Sequence, residues 1–310
     1  MTRRLSETYN PGDRVEIRFE HEPDEWIPAR VLGHDPPGMW VQTGDGRHWF
    51  VTNTARVRVA SEGEADQLQA AMDEDTVNAL IALSRNFYES IAPDFTRTRA
   101  GPAPGFQVLA NRWATYFPGG CRRLLDAGCG EGRFGRMVQE ASLAGAYVGL
   151  DSSPTLLDFA RQTVDGAFYQ RDLTDPEAFV DLGQFDCVTC LAVLHHIPGR
   201  QNRVDLLKRL GEVLTDRGRI ILSTWQFMDS ERQRRKLRAW VDAGIDPALV
   251  EVGDYLLSWG QEGDALRYVS YIDPEALTGL ASDAGLGLVD SFRSDGQEGD
   301  LNLYGVLALT

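Results

Sequence analysis

The sequence predicts an α/β protein built on an open, mainly parallel sheet, with a small all-β domain in front of it. Three observations carry this. From residue 106 to about 226, apolar runs of strand length alternate with amphipathic helical stretches, the order that a parallel sheet with right-handed crossovers requires. Three of those strands end in an acid, at Asp126, Asp151 and Asp172. Residues 9–60 instead hold short segments separated by turn-forming clusters.

In that first stretch Val15, Ile17 and Phe19 alternate with polar residues, the period of a half-buried strand. Further short segments follow at 26–32, 39–42, 48–52 and 57–59. Pro11-Gly12, Pro36-Pro37-Gly38 and Gly44-Asp45-Gly46 supply turns between them. Five strands in so short a stretch, with Trp26, Ala29 and Val31 spaced W-x-x-A-x-V, resemble a small SH3-like or Tudor-like barrel over 1–62. An exposed aromatic on such a barrel is a docking point for a peptide, a methylated group or RNA. Trp26, Trp40 and Trp49 are the candidates, each with an alternative place in the barrel core, and the sequence does not name the barrel's partner.

A polar linker and a leading helix occupy 63–105. Leu80, Leu83, Phe87, Tyr88 and Ile91 recur there at helical spacing. The α/β domain spans 106–310, with an insertion at about 227–265. A helix at 274–284 follows the insertion. Two final strands, at 286–293 and 302–309, fit an antiparallel hairpin at the end of the sheet.

Residues 124–135, Leu-Leu-Asp-Ala-Gly-Cys-Gly-Glu-Gly-Arg-Phe-Gly, carry the most chemistry. Gly128, Gly130 and Gly132 form a turn tight enough for a ligand to lie against bare backbone, and the helix after them offers free N–H groups. In a dinucleotide fingerprint the third glycine of G-x-G-x-x-G packs helix on strand; here that place falls on Arg133. The pattern is G-x-G-x-G, with Asp126 two residues before it. This resembles the first motif of class I S-adenosylmethionine (SAM) methyltransferases. The resemblance implies a Rossmann-like seven-stranded sheet and SAM as cofactor, whose methionine ammonium suits an acid at Asp126. Asp151 lies roughly 20 residues beyond the loop, where a ribose-binding carboxylate belongs. By the same resemblance, Asp172 accepts from the adenine amino group and the Leu173 N–H reaches the ring. Cys129, Ser152 and Leu191 complete the implied cofactor contacts.

The flanking segments point to the methyl acceptor. Phe87-Tyr-Glu-Ser-Ile-Ala-Pro-Asp-Phe-Thr-Arg-Thr-Arg99 resembles the Y-x-x-I-A-x-x-F-x-x-T-R segment of tRNA wobble-uridine carboxymethyl methyltransferases. Ala192-Val-Leu-His-His-Ile197, 253–259 and 267–271 are similar to further segments of that family. The family's W-P after T-R is replaced here by Gly101-Pro-Ala-Pro-Gly105. Ser258 and Ser270 stand where the family has a proline and a histidine. The resemblance implies methyl esterification of a carboxymethyl group, with Arg99, His195 and His196 as catalytic candidates. Tyr88, Arg99, Trp225, Trp259, Arg267 and Tyr268 are candidates to hold the acceptor; arginine grips a carboxylate bidentately and aromatics stack on a base. Some relatives in this family need a small activator protein. Two other readings stay open. In a small-molecule O- or N-methyltransferase, His195 or His196 would serve as general base. In a SAM-binding interaction protein, the barrel would be the working part.

The net charge of −15 is unfavourable for a nucleic-acid substrate as a whole. Residues 199–240 nevertheless hold eleven Lys or Arg against five Asp or Glu, densest at Glu231-Arg-Gln-Arg-Arg-Lys-Leu-Arg238. As a helix, that segment would present a basic face for tRNA. Cys121, Cys129, Cys187 and Cys190 include a single C-x-x-C, whose side chains point to opposite faces of a strand. The expectation is no metal, and buried free thiols in a reducing cytoplasm. No apolar run is long enough for a membrane span, and the first residues lack the apolar core of a signal peptide.

Overall fold

The computed structural model describes residues 5–9, 13–19, 25–35, 37–43, 47–59, 72–98, 101–259 and 265–310. These residues fall into two compact units: 1–79 with 228–266, and 80–227 with 267–310.

The first unit begins with α1 (Leu5–Thr8) and five strands: β1 (Arg14–Ile17), β2 (Ile27–Asp35), β3 (Gly38–Thr43), β4 (His48–Val51) and β5 (Val57–Val59). They pair antiparallel in the order β4-β3-β2-β1-β5. Of the residues whose alternation the sequence shows, Val15 and Ile17 are buried and Phe19 is half-buried; Ala29, Val31, Met39 and Val41 join them on the inner face. Where a barrel is expected the structure shows a five-stranded antiparallel sheet; among the described residues no pairing joins β4 to β5 to close it. Trp49 packs on Phe19 and donates from Nε1 to Thr43 Oγ1 at 3.1 Å. Trp40 pairs with Phe50, and Trp26 carries the guanidinia of Arg18 and Arg58 on its ring.

The insertion groups with this sheet. It holds α7 (Glu231–Arg234), β11 (Leu237–Arg238) and β12 (Asp254–Trp259). Gln42 Nε2 donates to the Asp254 carbonyl at 3.5 Å, His48 stacks on Tyr255, and Arg234 lies 4.0 Å from Asp35. The basic helix expected over 231–238 stops after one turn. Leu237 and Arg238 pair with Leu257 and Leu256, and the Lys236 carbonyl accepts from the Ser258 N–H at 2.9 Å. The backbone there is spent on a strand, so its cations do not line one helical face.

The second unit is the α/β domain. α2 (Glu74–Thr98) runs into it from the first unit, burying Leu80, Phe87 and Ile91 at the expected spacing. Then come α3 (Pro104–Tyr116), β6 (Cys121–Ala127), α4 (Arg133–Glu140), β7 (Ala144–Asp151), α5 (Pro154–Thr163), β8 (Ala167–Gln170), β9 (Phe185–Leu191), α6 (Arg200–Glu212) and β10 (Leu214–Trp225). After the insertion, β13 (Ala265–Ser270) leads to α8 (Pro274–Asp283), β14 (Leu286–Ser294) and β15 (Asn302–Leu309). Proline at the first turn, with Ser153 and Asp273 as side-chain caps, starts α5 and α8.

The sheet order is β14-β15-β10-β9-β6-β7-β8, seven strands as expected. The five strands from β8 to β10 run parallel; β15 is antiparallel to both its neighbours. Side-chain alternation divides the core between two faces. Leu124 and Cys187 pack with Trp113 and Phe134, whereas Leu125, Val188 and Cys190 pack on the other side. The four cysteines are buried and free. From β6 the chain winds outward through β7 to β8, then returns to β9 on the other side of β6. That reversal opens a crevice beyond the carboxyl ends of β6 and β9, the place where such sheets bind ligands. No helix among the described residues is long and apolar enough to cross a membrane.

Candidate active site

The glycine loop leaves β6 at this crevice. Gly128, Gly130 and Gly132 all adopt left-handed φ, at +84°, +55° and +77°. A Cβ on Gly128 would lie 2.3 Å from Val193, and one on Gly132 would lie 2.8 Å from Val164. One on Gly130 meets nothing within 4 Å, so bare backbone faces open space there. The loop is stapled to the end of β7. The N–H groups of Gly128 and Cys129 donate to the Leu150 carbonyl, and the Gly130 N–H donates to Asp151 Oδ2 at 2.8 Å. Asp151 Oδ1 accepts from the Ser153 N–H. The Ser152 carbonyl accepts from Gln170. The Cys129 thiol is buried, which pushes its pKa up and keeps it protonated.

Asp126 is more enclosed than its place at a strand end suggested. Tyr147 donates to Oδ2 at 2.6 Å and Thr189 to Oδ1 at 2.7 Å, and burial pushes the carboxyl up to about 6, with Asp151 and Glu131 adding to the rise. Three carboxyl groups therefore act on one loop, an environment that favours a cationic ligand. Asp172 lies just past β8. Its Oδ1 accepts from the Thr174 N–H and hydroxyl, at 2.9 and 2.7 Å, and its Oδ2 accepts from Arg85 at 2.6 Å. Burial raises this carboxyl, but those bonds outweigh it and hold the pKa below its usual value. Leu173 is buried, its carbonyl accepting from Arg209; Leu191 is half-buried and ends β9. The next residue, Ala192, is held at φ +57° while its N–H donates to the carbonyl and hydroxyl of Ser223. Left-handed backbone at a non-glycine residue marks a strained turn at the crevice.

Beyond that turn, most of the residues proposed for the acceptor come together. His196 Nδ1 lies 2.9 Å from the Tyr268 carbonyl and Nε2 lies 2.7 Å from the Tyr88 hydroxyl. A carbonyl only accepts, so Nδ1 carries the proton, and both ring nitrogens are engaged. His195 packs beside it with the rings tilted at 52°, 2% exposed, with Nδ1 lacking a partner. Burial, then the charges of His196 and Arg267, lower its pKa well below the usual value and leave it neutral. Arg267 lies over the rings of Trp225 and Phe87, at 4.4 and 5.1 Å, and hydrogen-bonds Tyr88; its Nε is buried without a partner. Tyr268 turns away: it is fully buried and accepts from Arg203 at 3.0 Å, so it supports the cluster through its backbone carbonyl. Trp259 ends β12 in the other unit. Arg99 lies outside the described residues.

Sequence reasoning missed Tyr147 and Thr189 on Asp126, Arg85 on Asp172, and Phe87 as a wall of the Arg267 site. Phe87 alone carried a signal, its helical spacing beside Tyr88; the others lie far from their partners in the chain. Gly130 leaves room for a ligand, the loop acids favour a cation, and Asp172 retains acceptor capacity. The residues present therefore fit SAM.

Comparison with known proteins agrees. A methyltransferase domain family matches residues 125–220. A putative methyltransferase of Encephalitozoon cuniculi is 31% identical over 167 residues, covering 54% of this chain and 71% of that relative. A tRNA (carboxymethyluridine(34)-5-O)-methyltransferase of Xenopus tropicalis is 28% identical over 183 residues, covering 57% of this chain but only 27% of that relative. The solved structure of DhpI in complex with SAH is similar in fold, with a TM-score of 0.52, 18% identity, and coverage of 75% of this chain and 98% of that one. The chain belongs to the S-adenosylmethionine-dependent methyltransferases.

Proposed function

We propose that this methyltransferase esterifies a carboxylate, the carboxymethyl group on the wobble uridine of tRNA. The observation that carries the reading is Arg267. A guanidinium stays charged in proteins, and burying a charge without an opposite charge is costly. Among the described residues the polar partner of Arg267 is the Tyr88 hydroxyl and not a carboxylate, and its Nε–H points at no acceptor. An anionic acceptor supplies the missing partner, and arginine grips a carboxylate through two parallel bonds. Trp225 and Phe87 flank that position with apolar rings. The likeness to the Xenopus relative, whose name specifies carboxymethyluridine, supports the choice of substrate.

SAM, which the glycine loop, Asp151 and Asp172 would hold, would supply an electrophilic methyl to a carboxylate oxygen, with the electron pair of the broken carbon–sulfur bond leaving on the demethylated cofactor. No proton moves. A carboxylate with a pKa of about 4 is already ionised at neutral pH, so a general base is not required. This agrees with a histidine pair in which His196 is engaged at both nitrogens and His195 is neutral and buried. The protein's part is to orient the carboxylate through Arg267 and Tyr88 and to exclude water with Phe87 and Trp225.

The test is transfer of labelled methyl from SAM to bulk tRNA, compared with a metabolite pool. Arg267→Gln should lower kcat/KM on tRNA by roughly 100-fold or more while SAM affinity stays near wild type. Label in the metabolite pool alone would favour a small-molecule methyltransferase. An unchanged kcat/KM in Arg267→Gln would remove the carboxylate reading.

A further inference from the structure

We infer that Arg85, on α2, is a positioning residue for the cofactor's adenine: it holds Asp172 as a carboxylate that only accepts, with one acceptor position left. This rests on the reading that Asp172 takes the adenine amino group. The argument is a count of lone pairs. A carboxylate offers about four acceptor positions. The Thr174 N–H and hydroxyl fill the two on Oδ1, and Arg85 Nη2 fills one on Oδ2. One position on Oδ2 remains. It suits a single N–H from an exocyclic amine and repels a ring oxo group, which brings only lone pairs.

Ionisation of Asp172 is essential to that selectivity, because a protonated carboxyl would donate from the oxygen that must accept. The charged groups around it are Arg85 on α2, Arg209 on α6 and Asp175 on its own loop. Arg209 is turned to backbone, donating to the Leu173 and Asp175 carbonyls. Arg85 is therefore the cation that bonds the carboxylate itself, and it helps overcome the burial that would otherwise raise Asp172. The same helix face reaches the acceptor cluster three residues on, where Tyr88 bonds His196. Arg85 thus sets the position of α2 against the cofactor end of the crevice, while Tyr88 sets it against the other end.

Calorimetric titration of SAM into wild type, Arg85→Ala, Arg85→Lys and Asp172→Asn at pH 7.5 and pH 5.0 tests this. The pair is partly exposed, so Arg85→Ala should weaken SAM binding only roughly two- to fivefold at pH 7.5. Relative to wild type the loss should grow at pH 5.0, since without Arg85 the carboxyl takes up a proton at higher pH. Arg85→Lys keeps the charge and should restore the wild-type pH profile. Asp172→Asn should weaken binding at both pH values. A loss in Arg85→Ala that is equal at both pH values would reduce Arg85 to a structural tie and overturn the inference. So would wild-type affinity in Arg85→Ala alongside weak binding by Asp172→Asn. Wild-type affinity in Asp172→Asn would instead overturn the underlying reading of Asp172.

Discussion

Asp126 sits between two hydroxyl donors in a buried site, with its carboxyl pushed up to about 6. The folded state therefore holds its proton more tightly than the unfolded chain, whose aspartates titrate near 4. Such a group contributes stability that is fully present below about pH 4 and is lost as pH rises through about 6. The difference is on the order of 3 kcal/mol at 1.36 kcal/mol per unit. Chemical denaturation of wild type and Asp126→Asn between pH 4 and 7 should show wild type gaining relative to the variant as pH falls. A difference that stays constant across that range would contradict the burial assigned to this carboxyl. The sequence placed Asp126 at the strand end through local spacing. It could not place Tyr147 or Thr189 against it, because those neighbours come from β7 and β9, 21 and 63 residues away.

At the scale of elements, the local rules held where a segment's own backbone decides its structure. Ser153 and Pro154 start α5, and the Ser153 hydroxyl accepts from the Leu156 N–H at 3.2 Å. Ser153→Ala should cost about 1 kcal/mol, lowering the urea midpoint with an unchanged slope. The local rules failed at 231–238, where composition favours a helix but β12 supplies a strand to pair with. They also overextended the strand ending at Asp172: β8 closes at Gln170, and Asp172 sits in a turn that its own carboxylate caps.

At the scale of the molecule, a chain of net charge −15 would have to meet an RNA substrate through local basic surface. Arg235 bonds Glu231 and Arg234 lies near Asp35, so part of the basic segment is already neutralised. Arg232 is exposed. If tRNA is the substrate, Arg232→Glu should weaken its binding across sequences and lower the salt slope by about 1. Filter binding at several salt concentrations measures both, and an unchanged slope would place the RNA contact elsewhere. The grouping of the insertion with the five-stranded sheet makes 228–266 part of the first unit, although the chain reaches it only after β10.

The sequence by itself determined most of the strand and helix order, the glycine loop, the acids at the ends of β6 and β7 and the kind of cofactor. Each depends on spacing within a few residues, where side-chain periodicity and backbone sterics act. Only the tertiary structure decided which polar atoms are satisfied. It enclosed the Asp126 carboxylate, engaged His196 at both nitrogens, turned Tyr268 toward Arg203, and left Arg267 buried between two rings. Whether a side chain is free to act depends on partners brought from distant parts of the chain, and the spacing of residues along it does not encode those contacts.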